Sequence, residues 1–385
     1  MSYVCFSCGK KYSLTEKIFR CTCGGFLEME ENLKFPEEAL ASRDRSIWRY
    51  KEAYGLPRDI VPVSLGEGHT PLISRKIGGD DLCLKLDFLQ PTGSFKDRGA
   101  SLLMSMVKYL GVAEVVEDSS GNAGAAVSAY AAAAGIACRV FVPDYTPDGK
   151  LIQMRFYNAE VEKIPGTRQD TNYAAIRASQ NTFYASHLWN PVFPLGYKST
   201  AYEIWEDLGK EVPDTVIIPL GGGGNLEGIH LGFTSLLQAG LIDRLPRLVG
   251  VQAENCSPLH TAFQEGREDA AEIQVKSTVA EGIAVQKPPR AGAVLKALRE
   301  SRGRTMAVSE EEILSAAGSL FSLGLYVEPT SAAVLAGWNK LEPEERKSSV
   351  LVLTGSGLKE TTKLNEIFSP SNPREKKERF SHFDQ

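Results

Sequence analysis

The stretch Thr215-Val216-Ile217-Ile218-Pro219-Leu220 runs directly into Gly221-Gly222-Gly223-Gly224-Asn225 and then into a helical pattern over 226–239. An apolar run of this length, stopped by glycine, reads as a buried strand. Four glycines between such a strand and a helix start let the backbone approach an anion, with successive N–H groups turned toward it. The spacing matches neither the dinucleotide fingerprint nor the nucleoside-triphosphate loop, because no Gly-Lys-Ser/Thr follows. The plain alternative is a flexible turn. If the run cradles a phosphate, the fold is an open α/β sheet whose ligand lies beyond the carboxyl ends of the strands.

The rest of the chain repeats this alternation. Strands are expected at 82–86, 112–116, 139–142, 159–163 and 183–185, with helices at 100–110, 123–134, 150–157 and 170–180 between them. A second series of strands runs through 215–220, 248–252 and 350–354. The expected fold class is α/β, with two open, mostly parallel sheets, each forming a lobe. At 385 residues the chain can bury two cores and a small appendage. A formal net charge of -5 argues against a broad nucleic-acid surface. Met1-Ser2-Tyr3-Val4-Cys5 has neither the charged nor the apolar region of a signal peptide. The most apolar run, 123–142, is broken by Gly135 and Arg139, so no membrane span is expected. These features together predict a cytoplasmic enzyme.

Four of the seven cysteines fall in the first 23 residues, as Cys5-x-x-Cys8 and Cys21-x-Cys23. Two close thiolate pairs can meet in a tetrahedral S₄ arrangement that suits a structural Zn²⁺, which predicts a zinc-ribbon-like module over residues 1–30. Incidental cysteines are the alternative. Cys83, Cys138 and Cys256 stand singly and read as buried, inert thiols. From 28 to 63 the chain is charged and irregular, with one helix expected near 42–52.

Three further stretches follow strands. Pro91-Thr92-Gly93-Ser94-Phe95-Lys96-Asp97-Arg98-Gly99 puts Lys96 on a glycine-flanked turn feeding a helix with apolar Leu102, Leu103, Met106 and Val107. There the helix dipole favours the neutral amine that Schiff-base chemistry needs; an ordinary capping loop is the alternative. Ser119-Ser120-Gly121-Asn122 reads either as a carboxylate-binding helix start or as a plain N-cap. Thr354-Gly355-Ser356-Gly357-Leu358-Lys359 presents hydroxyls at the end of the last strand.

A cradled phosphate, a reactive lysine, an asparagine and a hydroxyl at strand ends are the needs of pyridoxal phosphate. Taken in order with Glu328-Pro329-Thr330-Ser331-Ala332-Ala333, these motifs resemble those of threonine synthases, fold type II pyridoxal-phosphate enzymes of the tryptophan-synthase-β-like group. The resemblance covers about residues 1–368 and extends to the N-terminal cysteine pairs. It implies that Lys96, beside Phe95, holds the cofactor as a Schiff base and shuttles protons. It also implies that Asn122 bonds the cofactor's 3′-oxygen, that Gly221, Gly222, Gly223, Gly224 and Asn225 bind its phosphate, and that Thr354 faces the pyridine nitrogen. Ser119, Ser120, Gly121 and Ala123 would line the substrate. The implied reaction converts O-phosphohomoserine and water to threonine and phosphate, and fold type II enzymes are commonly homodimers.

The sequence departs from the family in three places. Ala123 replaces a substrate-facing hydroxyl. Phe193, in Asn190-Pro191-Val192-Phe193, stands where the family carries an arginine that contacts the substrate phosphate; Lys198 is the expected substitute, unless it is a surface lysine. Val279-Ala280-Glu281-Gly282-Ile283-Ala284-Val285 looks more like serine/threonine dehydratases, and Glu281 there either reads a substrate or is solvated. A dehydratase (ammonia-lyase), a β-replacement synthase and a non-catalytic cofactor-binding regulator remain alternatives. The expected division is a large cofactor lobe of 31–100 with 205–368, a smaller lobe of 101–204, and a loosely ordered tail over 369–385.

Overall fold

The computed structural model describes residues 2–30, 35–77 and 79–368, so the expected tail at 369–385 lies outside the described residues. The first residues form a three-stranded antiparallel sheet, with Ser2–Cys5 between Lys11–Ser13 and Leu27–Met29. A six-stranded sheet follows the order Arg304–Val308, Arg247–Ala253, Thr215–Pro219, Ser349–Val352, Asp80–Lys85, Leu72–Ile77. All its pairs are parallel except the last. A four-stranded, wholly parallel sheet runs Glu160–Ile164, Ala137–Pro143, Glu114–Glu117, Phe183–Tyr184.

The alternation read from the sequence is present, with ends shifted by a few residues. The strand at 215–219 is buried at every position, as a central parallel strand must be. The alanine-rich run divides where expected: a helix over Asn122–Ala134, Gly135 at φ 71° as its left-handed cap, then the strand Ala137–Pro143. Two strands of the six-stranded sheet are not expected from the sequence. Leu72–Ile77 carries the exposed Ser74-Arg75-Lys76 and pairs antiparallel at the sheet edge, where charge is tolerated. Arg304–Val308 forms the opposite edge.

The segment expected to hold one helix near 42–52 instead carries two 3₁₀ helices, Glu37–Ser42 and Ile47–Tyr54. The second is no loose linker, because Ile47, Trp48, Tyr50, Ala53 and Tyr54 are all buried. Each large side chain among them contributes roughly 1.5–3 kcal/mol by leaving water. Tyr50 also packs on Tyr202 with ring centroids 4.9 Å apart, tying the segment to the helix Lys198–Asp207.

A buried charge network unmarked in the sequence sits beneath the Lys96 turn. Arg98 bonds Asp87 at 2.7 Å, Ser199 at 2.8 Å and both carboxylate oxygens of Glu203. Lys85 meets Glu203 at 3.0 Å and Asp207 at 2.9 Å. Burial alone would raise the Glu203 carboxyl, but Arg98 and Lys85 hold it well below the usual carboxylate range. Two cations facing two fully buried anions leave no uncompensated charge, and this network fixes the start of the helix Lys96–Tyr109.

Candidate active site

Lys96 is the first residue of the helix Lys96–Tyr109 rather than part of the turn before it. Two strand-end segments hold it there. The Phe95 N–H donates to the Thr354 carbonyl at 2.9 Å, and the Ser356 N–H donates to the Gly93 carbonyl at 3.0 Å. Asp97, fully buried, accepts from the Thr92 N–H at 2.7 Å and the Thr92 hydroxyl at 2.5 Å. Burial lifts the Asp97 carboxyl to about 7, against those two bonds. The Lys96 turn and the Thr354 turn, far apart in sequence, are thus one unit.

Opposite Lys96 the glycine run forms the cradle. Gly223 has φ 86° and ψ -12°, a left-handed conformation that a side chain strains to adopt. It leads into the helix Gly224–Gln238, whose first N–H groups have no intrahelical acceptor. A Cβ on Gly222 would stand 2.3 Å from Leu188 Cδ2, and one on Gly223 would stand 2.2 Å from Val294 Cγ2. Only glycine fits. Asn225 is buried, yet neither its side-chain nitrogen nor its oxygen has a hydrogen-bond partner within the chain, and the buried Tyr197 hydroxyl also has none.

The Thr354 hydroxyl is set by Ser331 in the helix Pro329–Asn339. The two hydroxyl oxygens are 3.1 Å apart, and Ser331 Oγ accepts from the N–H groups of Thr354 and Gly355 at 2.9 and 2.8 Å. Thr330 Oγ1 accepts from the Gly282 N–H at 3.0 Å, which brings the 280–285 segment over the cavity.

The resulting cavity is lined by Phe95, Lys96, the whole run from Gly221 to Asn225, and Thr354. His187, Tyr197, Gly282, Arg290 and Thr330 line it too, and the sequence reading assigned none of them a role. Burial depresses the Lys96 amine to about 8, while Glu117 and Glu328 oppose the shift. Depth in the chain thus lowers the basicity of the amine that the sequence places at a helix start. Behind Lys96, His187 Nδ1 and Glu117 Oε1 are 2.7 Å apart. Burial pushes the His187 imidazole well below its ordinary value, and burial with Asp118 pushes the Glu117 carboxyl well above its own.

Other expected residues lie outside the cavity lining. Ser119, Ser120, Gly121 and Ala123 surround the start of the helix Asn122–Ala134. The Asn122 amide nitrogen donates to Glu328 at 3.2 and 3.0 Å rather than opening into the cavity. Lys198 is neither a surface lysine nor a cavity residue: it is fully buried at the start of the helix Lys198–Asp207. Phe193 is likewise buried and packs on Gly99, where an added Cβ would stand 2.2 Å from the ring. Glu281 is exposed and outside the cavity lining, and pairs there with Lys150 and, at 2.6 Å, with Lys363.

Cys5, Cys8, Cys21 and Cys23 converge, each sulfur within 4.8 Å of the other three. A zinc tetrahedron with bonds of about 2.3 Å has edges of about 3.8 Å. Cys5 and Cys23 are 3.5 Å apart and Cys8 and Cys21 are 3.6 Å apart, so the cluster fits a four-sulfur metal site.

A side-chain-free cradle, an unpartnered buried amide and an amine of lowered basicity, all on one cavity, fit a small aldehyde that carries a phosphate. Comparison with known proteins agrees. Residues 63–355 match the family described as pyridoxal-phosphate dependent enzyme. The threonine synthase of Methanocaldococcus jannaschii is 36% identical over 373 residues, 92% of each chain. That of Synechocystis sp. is 38% identical over 337 residues, 84% of this chain and 85% of the relative. Among solved structures, a T.th. threonine deaminase superposes with a TM-score of 0.65 at 27% identity, covering 74% of this chain and 92% of that one. This chain belongs to the pyridoxal-phosphate dependent enzymes and, within them, to the threonine synthase family.

Proposed function

We propose that this chain is a pyridoxal-phosphate-dependent lyase that converts O-phosphohomoserine and water to L-threonine and phosphate. The likeness to curated threonine synthases over 92% of both chains supports this reading, with the lysine and the glycine cradle intact. Pyridoxal phosphate, when bound, supplies an electrophilic carbon and a sink for electrons. Lys96 Nζ would hold the cofactor, and the same amine would take and return protons at the substrate's carbons. The backbone from Gly221 to Gly224 and the Asn225 amide bind the phosphate. Thr354, its hydroxyl oriented by Ser331, would offer the ring nitrogen a neutral partner that does not hold that nitrogen protonated as a carboxylate would. Phe95, Leu188, Tyr197 and Ile283 exclude water around the amine. Ser119, Ser120, Gly121 and Ala123 present the helix start to the substrate carboxylate, and Asn122, on turning from Glu328, would bond the cofactor's 3′-oxygen.

The test is phosphate release from O-phosphohomoserine by the purified holoenzyme, with amino-acid analysis of the product. Equal amounts of phosphate and threonine uphold the reading. A second reading, an ammonia-lyase acting on serine or threonine, draws on the 279–285 segment over the cavity and on the likeness to threonine deaminase. Ammonia from threonine without phosphate from O-phosphohomoserine would select it.

The four cysteines hold one structural Zn²⁺, and the protein works as a homodimer in the cytoplasm, with a large lobe of 31–100 and 205–368 and a smaller lobe of 101–204. Elemental analysis, sedimentation and fractionation test these assignments. Among the described residues, no helix is long and apolar enough to cross a membrane.

A further inference from the structure

Arg290 is buried, lines the cavity and touches three parts of the chain. Its guanidinium makes a two-pronged pair with Glu227, through Nε at 2.6 Å and through Nη2. Nη1 donates to the Leu27 carbonyl at 2.9 Å, and the guanidinium carbon lies 4.5 Å from the centre of the Phe26 ring. Leu27 and Phe26 belong to the cysteine module, where Phe26 stacks on Phe6 at 4.7 Å. Glu227 lies in the first turn of the helix after the cradle, and its N–H donates to the Gly223 carbonyl at 3.0 Å. The Val294 N–H donates to the Arg290 carbonyl, and the Val294 side chain is the one that leaves no room for a Cβ on Gly223. An unbroken series of contacts thus runs from the cysteine module through Arg290 to the left-handed residue of the cradle.

We propose that Arg290 is a positioning residue that transmits the seating of the N-terminal cysteine module to the phosphate cradle, so that the module governs how tightly the cofactor is held. The fork geometry matters, because only a planar guanidinium can pair with Glu227, bond the Leu27 carbonyl and lie on Phe26 together. The inference needs the cofactor but not the substrate assigned above, so it can fail while that reading stands.

The experiment titrates apo-protein with pyridoxal phosphate and follows the absorbance of the lysine-linked cofactor, with circular dichroism to confirm folding. Arg290→Met should weaken cofactor binding about tenfold or more, the size of one lost charge-assisted hydrogen bond. Arg290→Lys should not restore it, because an ammonium cannot make the fork. Phe26→Leu, on the module side, should weaken binding in the same direction, and its effect should largely vanish in the Arg290→Met background. Unchanged affinity in folded Arg290→Met, or additive effects in the double variant, would overturn the proposal. If Arg290→Met does not fold, Phe26→Leu and Glu227→Gln decide: weaker binding in both sustains the coupling, and wild-type affinity in either ends it.

Discussion

The Asn122 amide nitrogen donates to both carboxylate oxygens of Glu328, at 3.2 and 3.0 Å, across 206 positions of sequence. One residue starts the helix after a strand of the small sheet; the other caps the helix Pro329–Asn339 on the large sheet. Glu328 also sits so close to Gly355 that a Cβ there would fall 2.2 Å from the carboxyl carbon. This bond joins a helix of the four-stranded sheet to a helix of the six-stranded sheet.

It carries a pH signature. Burial raises the Glu328 carboxyl from 4.5 to about 7; Glu360 adds to the rise, while Asn122, Lys359 and Lys150 oppose it. A folded-state value above the unfolded one means the native chain keeps a proton the unfolded chain loses. The associated stability is present below about 4.5 and is lost as pH rises through about 7. Thermal midpoints of Glu328→Gln and wild type should therefore converge at low pH and separate in favour of the variant toward neutrality. Parallel curves would remove Glu328 as the source.

Lys96 should control both loading and turnover. Its amine, lowered to about 8 by burial, is increasingly neutral as pH rises through that value. The rate at which apo-protein recombines with pyridoxal phosphate should rise with pH and level off above it. Borohydride reduction of the holoenzyme should fix the cofactor on Lys96; label on any other lysine removes Lys96 from its role. Lys96→Ala should lower kcat by roughly 10²–10⁴-fold or more while the fold persists.

Gly223→Ala meets two obstacles, a φ of 86° and Val294 Cγ2 at 2.2 Å from the new methyl group. The two together should cost roughly 2–4 kcal/mol of stability. Cofactor affinity should fall with it, as read by denaturant unfolding beside cofactor titration. A variant as stable as wild type would show that the turn has other conformations available.

Phe193→Arg tests whether the family's arginine can be restored by substitution alone. The side chain is fully buried against Gly99 and outside the cavity lining. An arginine there should cost roughly 3 kcal/mol or more and leave KM for O-phosphohomoserine no better. A lowered KM would mean that position 193 can reach the substrate phosphate.

Removing metal from the four-cysteine cluster should lower the thermal midpoint by several degrees, since a ligand bound only by the native state stabilises it. Elemental analysis before chelation should find about one zinc per chain, held by the four thiolates. Zinc-free protein with an unchanged midpoint would leave the cluster a metal-free fold element.

The sequence by itself determined the features whose physics is local. Glycines between an apolar strand and a helix imply a close backbone approach, so the run from Gly221 to Gly224 could be read without a fold. Cysteine spacing, the Phe95-Lys96 motif and the strand–helix alternation were legible for the same reason, because each depends on neighbours a few residues away. Tertiary structure decided what depends on direction and distance. Phe193 and Lys198 are buried in the core and do not face a ligand: the Phe193 ring packs on Gly99, and the backbone of Lys198 lies close against Gly232. The edge strand Leu72–Ile77 exists because a neighbour supplies its hydrogen bonds, which its polar sequence does not reveal. Arg290 and Glu227 find each other across 63 positions, and His187 finds Glu117 across 70. A buried charge needs a partner from wherever the chain brings one, and that choice belongs to the whole fold.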